Sequence, residues 1–129
     1  MRRPEIGNVC NKGKGTLYLA GDIAMKALAF AITDNIRMAD IGVRYGGEEF
    51  IIMLPNTDKS TALEVAERIR TAIATNAVKV SSDKKAYITA SFGVATYTTD
   101  ASSLDDLIGK ADAALYAAKK AGKNKTCLA

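Results

Sequence analysis

Several residue types that carry common chemistry are absent or scarce in this chain of 129 residues. There is no histidine, which excludes histidine-based acid–base catalysis and histidine ligation of a metal. The aromatic residues are five tyrosines and three phenylalanines, and they are not interleaved with basic residues as they are in proteins that stack single-stranded nucleic acid. The sequence therefore predicts no nucleic-acid polymer as a partner.

Cysteine and long apolar runs are also scarce. The two cysteines, Cys10 and Cys127, lie near opposite ends of the chain without the spacing of a zinc site, and reduced thiols explain them better than a disulfide. No apolar run is long enough to cross a bilayer, and no hydrophobic region follows the basic residues 1–4 as it does in a secretory signal. These absences predict a cytoplasmic segment that does not contact a membrane.

The residues that are present indicate a single globular domain. Apolar residues make up 48% of the chain and charged residues 25%, a balance typical of a folded protein with one core. The net charge of +4 suits the binding of anionic nucleotides, but it is modest and does not by itself identify a ligand.

The most informative stretch is residues 44–50, Arg-Tyr-Gly-Gly-Glu-Glu-Phe. It lies between a β-prone segment at residues 41–43 and a short apolar run at residues 50–54, which Pro55 closes. Paired glycines supply the positive φ angles that tight turns need. The pattern therefore predicts a hairpin of two strands joined by a Gly-Gly turn.

Two carboxylates, Glu48 and Glu49, directly follow this turn. Glutamate is a poor strand former, so a pair of glutamates at the start of a buried strand indicates a site. Adjacent carboxylates can hold a hard divalent cation through their oxygens, and Gly46 and Gly47 let a phosphate approach the backbone. A solvated turn without chemistry explains the same residues, and composition alone does not decide between the two interpretations.

The rest of the chain predicts three helices and two further strands. The helices are expected over residues 20–37, over residues 58–75 with Asp58 as the cap, and from the cap Ser103 to Gly122. The strands are expected over residues 87–98 and near residues 125–128.

Residues 44–50 resemble the signature of the GGDEF family, the diguanylate cyclases, in its GGEEF form. The similarity extends from about residue 19 to the C-terminus, through segments at residues 19–22, 88–95 and 111–124. It implies an α+β fold in which helices flank a central, mostly antiparallel sheet, as in nucleotidyl cyclases and polymerase palm domains. We therefore divide the chain into an atypical or truncated N-terminal segment, residues 1–18, and a GGDEF-like domain, residues 19–129.

The resemblance also implies an activity. Diguanylate cyclases condense two GTP molecules into cyclic di-GMP and release two pyrophosphates, with one nucleotide held by each domain of a homodimer and Mg²⁺ or Mn²⁺ as the cofactor. Matched position by position, the catalytic and metal-binding carboxylates are Glu48 and Glu49. The substrate-binding residues are Gly46, Gly47, Asp22, Lys119 and Lys123. A helix cap remains an alternative explanation for Asp22, and compensation of a helix dipole remains one for the two lysines.

The family's inhibitory site for cyclic di-GMP consists of an arginine and an aspartate three residues apart, with a second arginine from the next helix. Arg37 and Asp40 have this spacing, and Arg68 occupies the matching position in the next predicted helix. Arginine suits guanine and phosphate because its planar fork forms two parallel hydrogen bonds. A surface ion pair of little energetic value is the alternative for Arg37 and Asp40.

The similarity fails before residue 19. The family's first strand carries a further metal-binding aspartate, and counting back at the family's spacing leads to Glu5 as a substitute. No apolar segment precedes Glu5, so we expect no buried strand there. The family's guanine-binding asparagine falls at Gly13, with Asn11 as the nearest replacement.

We weigh three functions and predict the first, with weak or absent activity for this chain. The chain is a diguanylate cyclase domain, a degenerate GGDEF domain that binds GTP or cyclic di-GMP as a sensor without turnover, or an interaction module that binds no nucleotide. The intact signature favours the first function, and the missing aspartate favours the second. The resemblance also implies an upstream sensory domain in the full-length protein.

Overall fold

The computed structural model describes residues 5–11, 18–45, 49–79 and 82–129, and their side chains from residue 23 onward. Within these ranges the helices are α1 Tyr18–Asn35, α2 Lys59–Thr75 and α3 Leu104–Lys120. The strands are β1 Glu5–Asn11, β2 Ile41–Arg44, β3 Glu49–Leu54, β4 Val78–Lys79, β5 Lys85–Ala86, β6 Ala90–Thr96 and β7 Thr126–Leu128. None of the helices in the described ranges is long and apolar enough to cross a membrane.

Five strands form the central sheet in the order β2-β3-β1-β6-β7. Every neighbouring pair in this sheet is antiparallel except β6 and β7, which are parallel. Strands β4 and β5 form a separate two-stranded hairpin. The predicted α+β fold with a mostly antiparallel sheet is confirmed.

The helices cover both faces of the sheet. Helices α1 and α2 pack on one face, where Leu28, Ile69 and Phe92 are fully buried in the main core. Helix α3 packs on the opposite face around Leu107 and Ala111. Because both faces are covered, every residue of β6 is buried.

Helix α3 comes into direct backbone contact with β6 at Gly93. A Cβ atom at this position would lie 2.1 Å from the carbonyl oxygen of Ala111 and 2.3 Å from the backbone nitrogen of Leu115. No side chain fits between the strand and the helix here. Glycine is therefore what allows the helix to lie directly on the sheet.

Local hydrogen bonds fix the helix ends. Asp58 Oδ1 accepts a hydrogen bond from the backbone N–H of Thr61 at 2.8 Å, and Ser103 Oγ accepts one from Asp106 at 3.1 Å. Both predicted caps are therefore confirmed. Helix α1 begins at Tyr18, which makes Asp22 its fifth residue. The capping explanation for Asp22 is wrong for that reason.

Strand β1 departs most from the prediction. It lies at the centre of the sheet, hydrogen-bonded to β3 on one side and to β6 on the other, so the expectation that the first residues form no strand is wrong. Both neighbours supply partners for its backbone N–H and carbonyl groups, and these partners are distant in the sequence. The division of the chain at residue 18 stays a prediction.

The C-terminal residues are tied to the sheet and to α2. Strand β7 runs parallel to β6, and the N–H of Ala129 donates to the carbonyl oxygen of Val94 at 2.8 Å. Lys59 Nζ, at the start of α2, lies 2.7 Å from the carboxylate of Asp100 and 3.3 Å from the carbonyl oxygen of Ala129. The predicted final strand is confirmed.

Candidate functional site

The strand register brings the signature hairpin and the turn after α3 to one end of the sheet. Glu49, the first residue of β3, lies opposite Cys10 of β1, and Cys10 lies opposite Ser91 of β6. Because adjacent strands are about 4.8 Å apart, Glu49 and Ser91 are separated by roughly 10 Å across the sheet. Ser91 Oγ accepts a hydrogen bond at 3.1 Å from the N–H of Asn124, which lies in that turn. We call this end of the strands, marked by Glu49, Cys10 and Ser91, the signature end of the sheet.

The turn after α3 has an unusual backbone. Gly122, Lys123 and Asn124 have φ angles of 116°, 65° and 48°, so three consecutive residues have positive φ. Glycine adopts such angles readily and asparagine tolerates them, but for Lys123 the left-handed conformation costs about 1–2 kcal/mol. The N–H of Lys123 donates to the carbonyl oxygen of Ala118 at 3.0 Å, which satisfies one of the open carbonyls at the helix end.

The two predicted phosphate-binding lysines lie at the signature end. Lys119 belongs to the last turn of α3 and Lys123 to the turn that follows, and both residues are half-buried. Lys119 also lies where a cation compensates the helix dipole, so this alternative holds alongside the predicted role. The two lysines place positive charge close to the end of the sheet that carries Glu49.

The structure describes the signature carboxylates in part. Glu49 is half-buried, and its carbonyl oxygen accepts a hydrogen bond at 2.6 Å from the N–H of Tyr45, which closes the hairpin. Gly46, Gly47 and Glu48 lie outside the described residues. In the ranges that are described, no three His, Cys, Asp or Glu side chains are grouped to hold a metal. By donor type Glu48 and Glu49 fit Mg²⁺ or Mn²⁺, which prefer carboxylate oxygens.

Strand β1 brings no carboxylate to the signature end. Its residues there are Cys10 and Asn11. Glu5 pairs with Leu54 and Thr96 at the opposite end of the sheet. At about 3.3 Å per residue, Glu5 is roughly 17 Å from Cys10 along the strand. The interpretation of Glu5 as a substitute for the family's aspartate is therefore wrong, because counting along the sequence does not take account of the sheet register.

Arg37 and Asp40 form a turn between α1 and β2, and Arg37 connects this turn to the loop after β3. The N–H of Arg37 donates to Asp40 Oδ2 at 2.8 Å, and Arg37 Nη2 lies 3.1 Å from Oδ1. The same Nη2 donates to the carbonyl oxygen of Pro55 and to Oγ1 of Thr57, both at 2.9 Å. The Asp40 side chain is only 2% exposed, whereas that of Arg37 is 61% exposed, so the pair lies at the surface with its carboxylate buried. The surface-ion-pair interpretation stays open alongside the product-site prediction. Hydrogen bonding to Asp40, and then its negative charge, raise the pKa of Arg37.

Arg68 joins this group. Its Nη2 donates to the carbonyl oxygen of Asn35, the last residue of α1, at 2.6 Å. Strand β2 begins directly after Asp40 and runs from the base of the hairpin towards its tip. The predicted inhibitory residues Arg37, Asp40 and Arg68 therefore gather at the base of the hairpin, opposite the signature end. Their role as a product site stays a prediction.

Two predicted guanine-binding positions follow from the topology. Asn11 ends β1 at the signature end, opposite Ala90, whereas Gly13 lies outside the described residues. Helix α1 ends near the hairpin base, and at about 1.5 Å per residue Asp22 lies roughly 20 Å back along it. Asp22 therefore lies towards the signature end, as its predicted role requires.

Sequence reasoning missed a polar network that holds the turn after α3. Glu67 and Arg70 of α2 form an ion pair, to which Thr126 and Asn124 are hydrogen-bonded. The hydrogen bond from Arg70 lowers the pKa of Glu67 against the opposing effect of burial, and Thr126 adds to the lowering. The i,i+3 spacing of Glu67 and Arg70 is the available signal in the sequence. It does not show that their partners lie more than fifty residues further along the chain.

The chain belongs to the GGDEF family. The family model described as "Diguanylate cyclase, GGDEF domain" matches residues 18–125. Diguanylate cyclase A of Treponema denticola is 42% identical to the chain over 111 residues, which are 86% of this chain and 30% of that protein. The resemblance carried by the signature is confirmed, and with it the family's place in cyclic di-GMP signalling.

Solved structures agree with this assignment. The GGDEF domain of DgcB from Caulobacter crescentus, in complex with c-di-GMP, is 25% identical with a TM-score of 0.89, over 98% of this chain and 78% of that one. The active GGEEF domain of a diguanylate cyclase from Vibrio cholerae is 26% identical with a TM-score of 0.85, over 98% and 82%. The fold is that of a GGDEF domain. The chain spans less than a third of the length of the curated relatives that it matches.

Proposed function

We propose that this domain condenses two GTP molecules into cyclic di-GMP and releases two pyrophosphates. One observation carries the proposal: Glu49 and the turn that bears Lys123 lie at the same end of the sheet. Glu49 is paired with the end of β1, and the turn is hydrogen-bonded to the neighbouring end of β6. A carboxylate that suits a cation, that of Glu49, is thus at the same end of the sheet as lysines that suit phosphate. The family match supports GTP as the nucleotide.

In this proposal the protein contributes mainly position and charge, which is typical of phosphoryl and nucleotidyl transfer. A bound Mg²⁺ or Mn²⁺ would supply positive charge to the phosphates. Glu48 and Glu49 are the residues that would hold it, and Glu48 also orients the attacking 3′-hydroxyl. Lys119 and Lys123 neutralise phosphate oxygens as point charges, since lysine lacks the planar fork of arginine.

The remaining site residues bind and orient the nucleotide. Gly46 and Gly47 leave room for ribose and phosphate because they carry no side chain. Asp22 accepts hydrogen bonds from the N–H donors on the Watson–Crick edge of guanine. The 3′-hydroxyl of each GTP attacks the α-phosphorus of the other, so two copies of the domain must face each other as a homodimer. An upstream sensory domain in the full-length protein is part of this proposal, and the curated relatives are long enough to hold a further domain.

The base of the hairpin is proposed as the site of product inhibition. Arg37 and Arg68 bind guanine and phosphate of cyclic di-GMP there, and Asp40 holds Arg37 through its buried carboxylate. Arg37 also contacts Pro55 and Thr57, directly after β3. A ligand that takes Arg37 away from these contacts releases the base of the hairpin whose tip carries the signature.

A second candidate function is binding without turnover. The observation that favours it is the sheet register, which places Cys10 and Asn11 at the signature end where the family has a metal-binding aspartate. Such a domain would bind GTP or cyclic di-GMP and report the occupancy to a partner.

Calorimetry and a pyrophosphate-release assay separate these functions. We expect GTP to bind in the presence of Mg²⁺ and pyrophosphate to appear at a low rate. Glu48→Gln should abolish the release, whereas the control Glu64→Gln, at an exposed position of α2, should leave it unchanged. Arg37→Ala should abolish the binding of cyclic di-GMP and leave the binding of GTP intact.

The other outcomes are equally informative. Release that is unaffected by Glu48→Gln removes Glu48 from the mechanism. GTP binding without any release in the unsubstituted chain favours the sensor. Failure to bind either nucleotide rejects both functions and leaves an interaction module.

A further inference from the structure

The strained turn after α3 is held from outside by side chains of α2. Two of its residues, Lys123 and Asn124, have left-handed backbones without being glycine. A conformation of this kind persists only when surrounding contacts over-determine it. The identity of those contacts therefore shows which residues control where Lys123 lies.

Arg70 is the first of these contacts. Its Nη1 donates to Asn124 Oδ1 at 3.0 Å and to the carbonyl oxygen of Asn124 at 3.3 Å. The backbone N–H of Asn124 donates to Ser91 Oγ at 3.1 Å. Both polar groups of the Asn124 backbone and its side-chain oxygen are therefore bonded, which fixes the residue next to Lys123.

Glu67 is the second. Its carboxylate accepts two parallel hydrogen bonds from Arg70, from Nε to Oε2 at 2.7 Å and from Nη2 to Oε1 at 2.9 Å. Oε2 also accepts a hydrogen bond from Thr126 Oγ1 at 2.7 Å. The ion pair thus holds the chain on both sides of Lys125, at Asn124 before it and at Thr126 after it.

The same contacts assign a positional role to Arg70. Its fork is occupied by Glu67 and its remaining terminal nitrogen by Asn124, and only 22% of its side chain is exposed. A neighbouring carboxylate compensates its charge. Arg70 therefore acts on an anionic ligand through the turn and not by direct contact.

We propose that Glu67 and Arg70 are positioning residues that hold Lys123 where it binds the phosphates of the nucleotide. The proposal rests on the proposed function only in taking GTP as the ligand at the signature end. It requires GTP binding and does not require turnover.

The test measures the dissociation constant of GTP with Mg²⁺ in four proteins: the unsubstituted chain, Arg70→Gln, Lys123→Gln and the double variant. Each single substitution should weaken GTP binding about tenfold, the effect of about 1.4 kcal/mol. If Arg70 acts through Lys123, the double variant should bind GTP about as weakly as Lys123→Gln alone, because coupled residues are not additive.

Two controls separate positioning from general stability. Lys59→Gln removes the ion pair to Asp100 at the other end of α2 and should leave GTP binding unchanged even if it lowers the melting temperature. Amide exchange at Asn124 and Lys125 should accelerate in Arg70→Gln and in Glu67→Gln, but not in Lys59→Gln. Binding of cyclic di-GMP at the hairpin base should stay within about twofold in all four proteins, a difference well below 1.4 kcal/mol.

The outcomes distinguish the two proposals. If GTP binds and the effects of Arg70→Gln and Lys123→Gln add, Arg70 does not act through Lys123 and the inference is wrong, whereas the proposed function stands. If GTP binds without turnover and the effects do not add, the inference stands and catalysis is rejected. If the unsubstituted chain binds no GTP, both are rejected.

Discussion

At the scale of single residues, Glu67 contributes to the stability of the fold and also holds the turn that bears Lys123. Arg70, and to a lesser extent Thr126, lower the pKa of its carboxyl. The carboxylate is therefore stabilised in the folded chain relative to the unfolded one. This contribution is fully present above the ordinary carboxyl pKa, and it disappears as the pH falls through the lower pKa of the folded state.

The first prediction concerns this pH dependence. Glu67→Gln should lower the melting temperature at pH 7, by no more than about 4 °C because the pair is partly exposed and screened. The difference between the variant and the unsubstituted chain should shrink as the pH falls below the usual carboxyl range. Thermal melts from pH 7 to pH 3 check it, with Glu64→Gln as the exposed control. A difference that stays constant over this range would contradict the prediction.

The sequence predicted those contacts of the candidate site whose partners are close together in the chain. Arg37 and Asp40 were predicted as a pair from their spacing, and the structure confirms that they are hydrogen-bonded. The burial of the Asp40 side chain and the contacts of Arg37 with Pro55 and Thr57 were not predictable, because those two partners lie in the loop after β3. The contact of Arg70 was not predictable for the same reason, since its partner Asn124 lies in the turn after a different helix.

At the scale of elements, the contact between α3 and β6 depends on a missing side chain. Gly93→Ala would place a methyl group within 2.1 Å of the Ala111 carbonyl oxygen. We expect the free energy of unfolding to fall by about 3 kcal/mol, the upper part of the usual range for overpacking, because the clash involves backbone atoms that cannot rotate away.

Helix α3, on the other side of this contact, contains a glycine that serves as the control. Gly109 of α3 has no atom within 4 Å of an added Cβ, so Gly109→Ala should raise the free energy of unfolding by about 0.5–1 kcal/mol. Urea titrations of both variants measure the two changes. If Gly93→Ala does not lower the free energy of unfolding, the close contact between α3 and β6 is not required and the prediction is wrong.

The elements themselves were predictable where their signals are local. The three helices were predicted to within two residues or so, because caps such as Asp58 and Ser103 lie next to the apolar periodicity they begin. Strand β1 was missed because its seven residues carry weak alternation, and its stability comes from pairing with β3 and β6 on either side. The error at Glu5 followed from this, since only the register shows which end of a strand meets the hairpin.

At the scale of the whole molecule, the strand register shows which ligands the candidate site has and which it lacks. The side of the site formed by β1 has no carboxylate. The lysines and Glu49 are brought together, while β1 contributes Cys10 opposite Glu49. A carboxylate at this position would add a hard oxygen ligand for a cation.

We therefore predict a gain of function. Cys10→Asp should strengthen Mn²⁺ binding about tenfold, or about 1.4 kcal/mol, measured by calorimetry in the presence of GTP. Cys10→Ser provides the baseline for loss of the thiol. Glu5→Gln should have no effect, because Glu5 lies at the opposite end of the sheet. Weaker metal binding in Glu5→Gln would show that the register argument is wrong.

The tether formed by β7 has a practical consequence for shortening or tagging the domain. Residues 126–129 contribute almost nothing to the buried core. However, the carbonyl of Lys125 accepts a hydrogen bond from the N–H of Phe92, and Thr126 anchors the chain to Glu67. We expect a protein trimmed after Lys125 to keep a cooperative thermogram, while Lys123, the proposed phosphate-binding lysine, loses the nearby anchor at Thr126. A normal melting curve would therefore be no assay for the proposed nucleotide site, and we expect a fluorescent reporter fused directly after Ala129 to strain the same attachment.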